Sequence, residues 1–128
     1  MNSIKVLLVA LCAIFSSTAF AQSDSTNFKV AGNCGMCKKR IEASVKSPSV
    51  SFANWDVKSK VLTIKFDPSK TSAQELQRKV AAVGHDTEKY SADKEVYERL
   101  PGCCLYDREM LRSGTLKPES KFNPHANH

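Results

Sequence analysis

The chain has 128 residues, 41% of them hydrophobic and 25% charged, and a formal net charge of +6. That length suits one small domain with flanking segments rather than several domains. The positive excess is modest and spread along the chain, with no long basic stripe interleaved with aromatics; this excludes a nucleic-acid-binding surface and leaves either a solvated face or a docking patch for an acidic partner.

The first residues read as an export signal and not as part of the fold. Lys5 gives a positive start, Val6 to Phe15 form an apolar run, and Ala19-Phe20-Ala21 has the small-x-small pattern of a cleavage site. Residues 1–21 are therefore expected to be a signal peptide cut after Ala21. The apolar run is too short to span a bilayer, so no membrane span is expected after cleavage. Cys12 follows Leu11 and not a small residue. That speaks against a lipoprotein signal, and Cys12 is expected to be discarded. Export implies a periplasmic or secreted protein in oxidising surroundings. The cysteines left are Cys34, Cys37, Cys103 and Cys104.

Gln22 to Thr26 is polar and expected to be loose. Phe28 and Val30 alternate with Asn27, Lys29 and Ala31, which suits a first strand. Gly32-Asn33-Cys34-Gly35-Met36-Cys37 follows, and then Cys37, Ile41 and Val45 repeat at helical spacing until Pro48. The predicted helix runs from about Gly35 to Lys46. Two thiols thus sit where a strand turns into a helix. Unpaired amides at a helix start favour negative charge, and Lys38, Lys39 and Arg40 add positive charge nearby. Both effects favour thiolate, the nucleophilic and metal-binding form. The pair is either a soft-metal clamp or a redox pair.

Val50 to Val57 and Val61 to Phe66 read as an antiparallel hairpin around the polar turn Lys58-Ser59-Lys60. Ala53, Trp55 and Val57 share one face of the first strand, and Leu62, Ile64 and Phe66 one face of the second. Trp55, Phe52 and Tyr90 are most simply sheet packing. Ser72 is a helix cap with Glu75 completing a capping box. Leu76, Val80 and Val83 make the apolar stripe of a second helix, closed by Gly84. Thr87 to Tyr90 supplies a last strand. The order over residues 27–91 is strand, helix, strand, strand, helix, strand. That is an α+β, ferredoxin-like βαββαβ sandwich: a four-stranded antiparallel sheet with two helices on one face. Residues 92–112 form a short helical extension that carries Cys103-Cys104. Residues 113–128 have little to bury and are expected to be a disordered tail, where His125 and His128 have no scaffold.

Gly32 with Cys34-Gly35-Met36-Cys37, Ile41-Glu42 on the helix, Phe66-Asp67-Pro68 and Val83-Gly84-His85-Asp86 together resemble the heavy-metal-associated domain family. The resemblance spans Phe28 to about Tyr90. Family members usually carry Gly-Met-x before the first cysteine; here Gly32-Asn33 precedes it, and Met36 lies between the two. The resemblance implies a metal carrier and no enzyme activity. Cys34 and Cys37 would hold the cargo, copper(I) first; the alternative is sequestration of mercury, zinc or cadmium by the same loop. The partner would be another metal-binding domain or a transporter. It also makes His85 a candidate third ligand or proton-responsive group, against a plain reading as an exposed histidine at a helix end.

Copper(I) is soft and accepts two thiolates almost linearly, so a two-cysteine loop leaves the ion open to attack by a partner thiolate. A structural zinc site would want four enclosing ligands. If the extension folds back, Cys103 and Cys104 are candidate further ligands for zinc, cadmium or a copper cluster. Alternatively the pair is a second weak metal site or a disulfide, though adjacent cysteines bridge each other only with strain. Thiol-disulfide exchange competes for Cys34 and Cys37. A thioredoxin-type fold has a different strand order and a proline facing the cysteines, and the chain lacks that pattern.

Overall fold

A computed structural model describes residues 22–111 and 120–121. The expected signal peptide and most of the expected tail lie outside the described residues. In chain order the elements are β1 (Asp24–Lys29), α1 (Gly35–Val45), β2 (Val50–Trp55), β3 (Val61–Phe66), α2 (Ala73–Ala82), β4 (Tyr90–Ser91), α3 (Lys94–Glu98), a 3-10 turn (Gly102–Cys104) and β5 (Ser120–Lys121). The main sheet has three strands in the order β1-β3-β2, all antiparallel.

β1 begins at Asp24, inside the stretch expected to be loose. Its pairing with β3 runs from Asp24↔Phe66 to Lys29↔Val61. A full-length partner strand offers ladder bonds to the backbone groups of Asp24 to Asn27 that face β3, and that outweighs their polarity. The hairpin forms as expected, with Leu62, Ile64 and Phe66 buried. Its outer strand departs from strict alternation. The register shifts between Val50 and Phe52. Trp55 is buried, but Phe52 and Val57 are exposed, so neither packs the sheet as anticipated. A bulge flips the face that later residues present, and Val57 lies beyond the end of the strand.

The expected fourth strand is a correction. Thr87 makes one isolated antiparallel bridge to Val30, at the open edge of β1. The chain then closes on itself: the Thr87 N–H donates to the Tyr90 carbonyl at 2.7 Å, and the Tyr90 N–H donates to Thr87 Oγ1 at 3.0 Å. This turn consumes the groups that a longer ladder would need. β4 pairs instead with β5, in parallel. The ferredoxin-like layout survives with its last edge strand reduced to a single bridge.

Both helices follow their sequence signals. α1 buries Cys37, Ile41 and Val45, one residue per turn on one face. Ser72 Oγ accepts the Glu75 N–H at 3.1 Å and starts α2; Gly84, at φ 105°, ends it in a left-handed conformation that glycine adopts without a Cβ penalty. The core fills the space between sheet and helices with Ile41, Trp55, Leu62, Ile64, Leu76 and Val80. Leu100, Cys104, Tyr106 and Leu111 belong to the same cluster. The extension is therefore part of the domain's core.

Candidate metal centre

Cys34 is the N-cap residue of α1, in extended backbone conformation, and Cys37 lies in the helix's first turn. Their sulfurs are 3.6 Å apart. Cys37 is fully buried, and its sulfur accepts the Asn33 N–H at 3.4 Å. Gly32 is required beneath this loop. A Cβ there would sit 3.0 Å from the Trp55 ring and 3.2 Å from Cys37 Cβ. Trp55 is itself fixed by its indole N–H, which donates to the Val30 carbonyl at 3.1 Å.

The 3-10 turn brings Cys104 over the loop. Its sulfur lies 4.0 Å from that of Cys34. The thiols of Cys34, Cys37 and Cys104 all fall within 4.8 Å of one another. Three coplanar sulfurs around one soft ion, at a metal–sulfur distance near 2.3 Å, would be about 4.0 Å apart. The spacing fits. Cys103 stands at the rim, exposed, with its sulfur 4.0 Å from Cys104 Sγ and 3.4 Å from Met36 Sδ. Its backbone carbonyl accepts a hydrogen bond from the Cys34 thiol at 3.4 Å. All four of these cysteines are free thiols.

The thiols differ in acidity. Cys34 is lowered to about 7, chiefly by the Cys37 backbone N–H at the helix start, against an opposing effect of burial. The amides act as anticipated; the lysines do not contribute as anticipated. Lys38 turns away to Glu42 Oε1, Asn54 Oδ1 and the Trp55 carbonyl, at 2.5, 2.8 and 2.9 Å, and clamps α1 to β2. Lys39 and Arg40 instead line a groove with Met36 and Cys104. Burial pushes the Cys104 thiol well above its ordinary range, with the Cys37 thiol adding to the rise.

His85 is not with the sulfurs, nor is it an exposed helix-end residue. It is fully buried. Its Nδ1 lies 2.8 Å from the Ala31 carbonyl, its ring stacks on Tyr106 at 5.5 Å, and its Nε2 has no hydrogen-bond partner. Burial lowers its pKa. A neutral ring that donates through Nδ1 fits those contacts and holds the strand just before the cysteine loop.

Sequence reasoning missed what places Cys104. Asp86, almost fully buried, receives two bonds from Arg108: Nη2 to Oδ1 at 2.6 Å and Nε to Oδ2 at 3.1 Å. It also accepts the Ala92 N–H at 2.7 Å. The Tyr106 hydroxyl donates to the Gly84 carbonyl and accepts the Asp86 N–H, both at 2.8 Å. These bonds span the second helix's exit and the extension. The only sequence signal was a buried-type Tyr-x-Arg after the cysteine pair, which has no periodicity to read.

The family model described as "Heavy-metal-associated domain" matches residues 28–86. No curated protein sequence matches the chain. Among solved structures, the chain is similar to a putative copper-ion-binding protein from Bacillus anthracis str. Ames, at 21% identity and TM-score 0.50, covering 53% of this chain and 99% of that one. It is also similar to the water-soluble region of the P-type ATPase CopA from Bacillus subtilis, at 25% identity and TM-score 0.51. That match covers 56% of this chain and 48% of the other, so the chain spans about half of that region. Among the described residues, no helix is long and apolar enough to cross a membrane.

Proposed function

With residues 28–86 forming a heavy-metal-associated domain, we propose that this chain is an exported copper(I) carrier. The observation that carries the reading is the convergence of Cys34, Cys37 and Cys104 within 4.8 Å, with Cys34 half-open to solvent. Sulfur-only ligands select soft ions, copper(I) foremost. The Cys34 thiol, lowered to about 7 and open to solvent, captures the ion first. Cys37 and Cys104 then close on it, each giving up its proton to solvent. The partner, a second metal-binding domain or a transporter, enters at the open side by Cys34. Its thiolate adds to the ion as one of this chain's thiolates leaves, and no bond of a substrate is broken. The N-terminal apolar run and Ala19-Phe20-Ala21 support a periplasmic or secreted location.

The same geometry supports a second reading. A buried third sulfur makes the ion harder to remove than two do, which suits sequestration of copper, mercury, zinc or cadmium. The test is competition for copper(I) between the reduced protein and a chelator, compared with zinc(II) and mercury(II). Cys34→Ser is expected to weaken copper(I) binding by about 100-fold or more, ~2.7 kcal/mol. Unchanged affinity in that variant overturns the site. Transfer to an acceptor domain faster than dissociation into solvent supports carriage; its absence supports sequestration. Insulin reduction at a dithiol enzyme's rate would move the reading to thiol-disulfide exchange.

A further inference from the structure

Among the described residues outside the three-sulfur centre, one group of soft ligands remains unassigned. Met36 and Cys103 come from opposite ends of the domain, yet their sulfurs lie 3.4 Å apart. Cys103 Sγ is also 4.0 Å from Cys104 Sγ. Met36 is 53% exposed, so its thioether is reachable from solvent. Met36 and Cys104 line the same groove, with Lys39 and Arg40 on its wall.

We propose that Met36, Cys103 and Cys104 form a second copper(I) subsite beside the first, sharing the Cys104 sulfur as a bridge. The proposal rests on the copper-carrier reading of the three-thiol centre. Thioether and thiolate together are a donor set for copper(I) and a poor one for zinc. The 4.0 Å between the Cys103 and Cys104 sulfurs is that of sulfurs around one soft ion, which stand about 4 Å apart, and the 3.4 Å Met36–Cys103 pair need open only slightly to admit one. The charge balance is also workable. The second copper(I) displaces the Cys103 proton to solvent, no electron moves, and Cys104 supplies a lone pair to each ion. Two monovalent cations on four thiolates leave a net negative cluster, and the Lys39 and Arg40 side chains of the groove oppose that charge.

The test is anaerobic titration of the reduced chain with copper(I) against a chelator, read as stoichiometry, with X-ray absorption on the fully loaded protein. Wild type is expected to take two equivalents as a monomer, with a sulfur-only shell and a copper–copper vector. Cys103→Ser and Met36→Leu change exposed side chains. They are expected to lose or weaken the second equivalent and keep the first at wild-type affinity. Zinc(II) is expected to load the same in all three proteins. Wild type stopping at one copper overturns the subsite and leaves the carrier reading intact; no tight first equivalent overturns both. A second equivalent that survives in both variants, or that appears only with dimerisation, also overturns the subsite.

Discussion

Cys34 and Cys104 show how little distance is needed to make two thiols chemically different. Their sulfurs are 4.0 Å apart, yet one pKa is lowered to about 7 and the other is raised by burial. Cys34 caps a helix and meets first-turn amides, whose partial positive charge favours the anion. Cys104 is held in the core, where an isolated anion is poorly solvated. The metal-free protein therefore presents one ready nucleophile and one reserve sulfur. Alkylation of the reduced, metal-free chain, followed by peptide mass spectrometry, is expected to modify Cys34 with a pH midpoint near 7. The sign follows from the thiolate being the reactive form: below that midpoint the rate falls about tenfold per pH unit. Cys104 is expected to stay unmodified across the same range until the protein is unfolded. Cys104 reacting alongside Cys34 would show that the extension does not bury it.

At the scale of elements, the segment after β4 behaves as a strap. α3 is too short to be stable alone. Its position comes from Tyr106 and Arg108, which grip the chain at Gly84 and Asp86, and from Leu100. Leu100 packs directly over Gly84, where an added Cβ would meet its side chain at 3.0 Å. Asp86 is the centre of this grip, and its replacement leaves a partly buried guanidinium without its anion. Full burial would make that cost roughly 3–5 kcal/mol. The Arg108 side chain is 24% exposed, so Asp86→Asn is expected to cost less, about 1–3 kcal/mol. Urea unfolding measures the loss. The more telling readout is Cys104, which is expected to become open to alkylation in Asp86→Asn under native conditions. Continued protection of Cys104 would mean that the strap is held by its apolar contacts alone.

For the molecule as a whole, what could be read from sequence divides by contact range. α1, α2 and the hairpin follow from local patterns: Cys37, Ile41 and Val45 at helical spacing, the Ser72 cap, and alternation in Leu62, Ile64 and Phe66. The Cys34 and Cys37 loop was legible because spacing and helix start are also local. The frayed fourth strand was not legible, because Thr87 spends its groups on a turn with Tyr90 that no propensity signals. The third sulfur was legible only as a conditional, since Cys104 reaches the loop through Asp86, Arg108 and Tyr106 across the fold. That long-range closure carries the last prediction. A chain ending at residue 91 removes Leu100, Cys104, Tyr106 and Leu111 from the common core. At about 1.5–3 kcal/mol for each large apolar side chain, the loss is on the order of 5 kcal/mol, comparable with the whole stability of a small domain. The shortened chain is expected to melt at a much lower temperature without metal. Copper(I) is expected to recover only part of that loss, because it binds two sulfurs instead of three and its stabilisation grows only with the logarithm of concentration over Kd. Circular-dichroism melts of both chains, with and without copper(I), measure the two effects together. Equal melting temperatures in the metal-free state would show that the extension is an appendage and not part of the core.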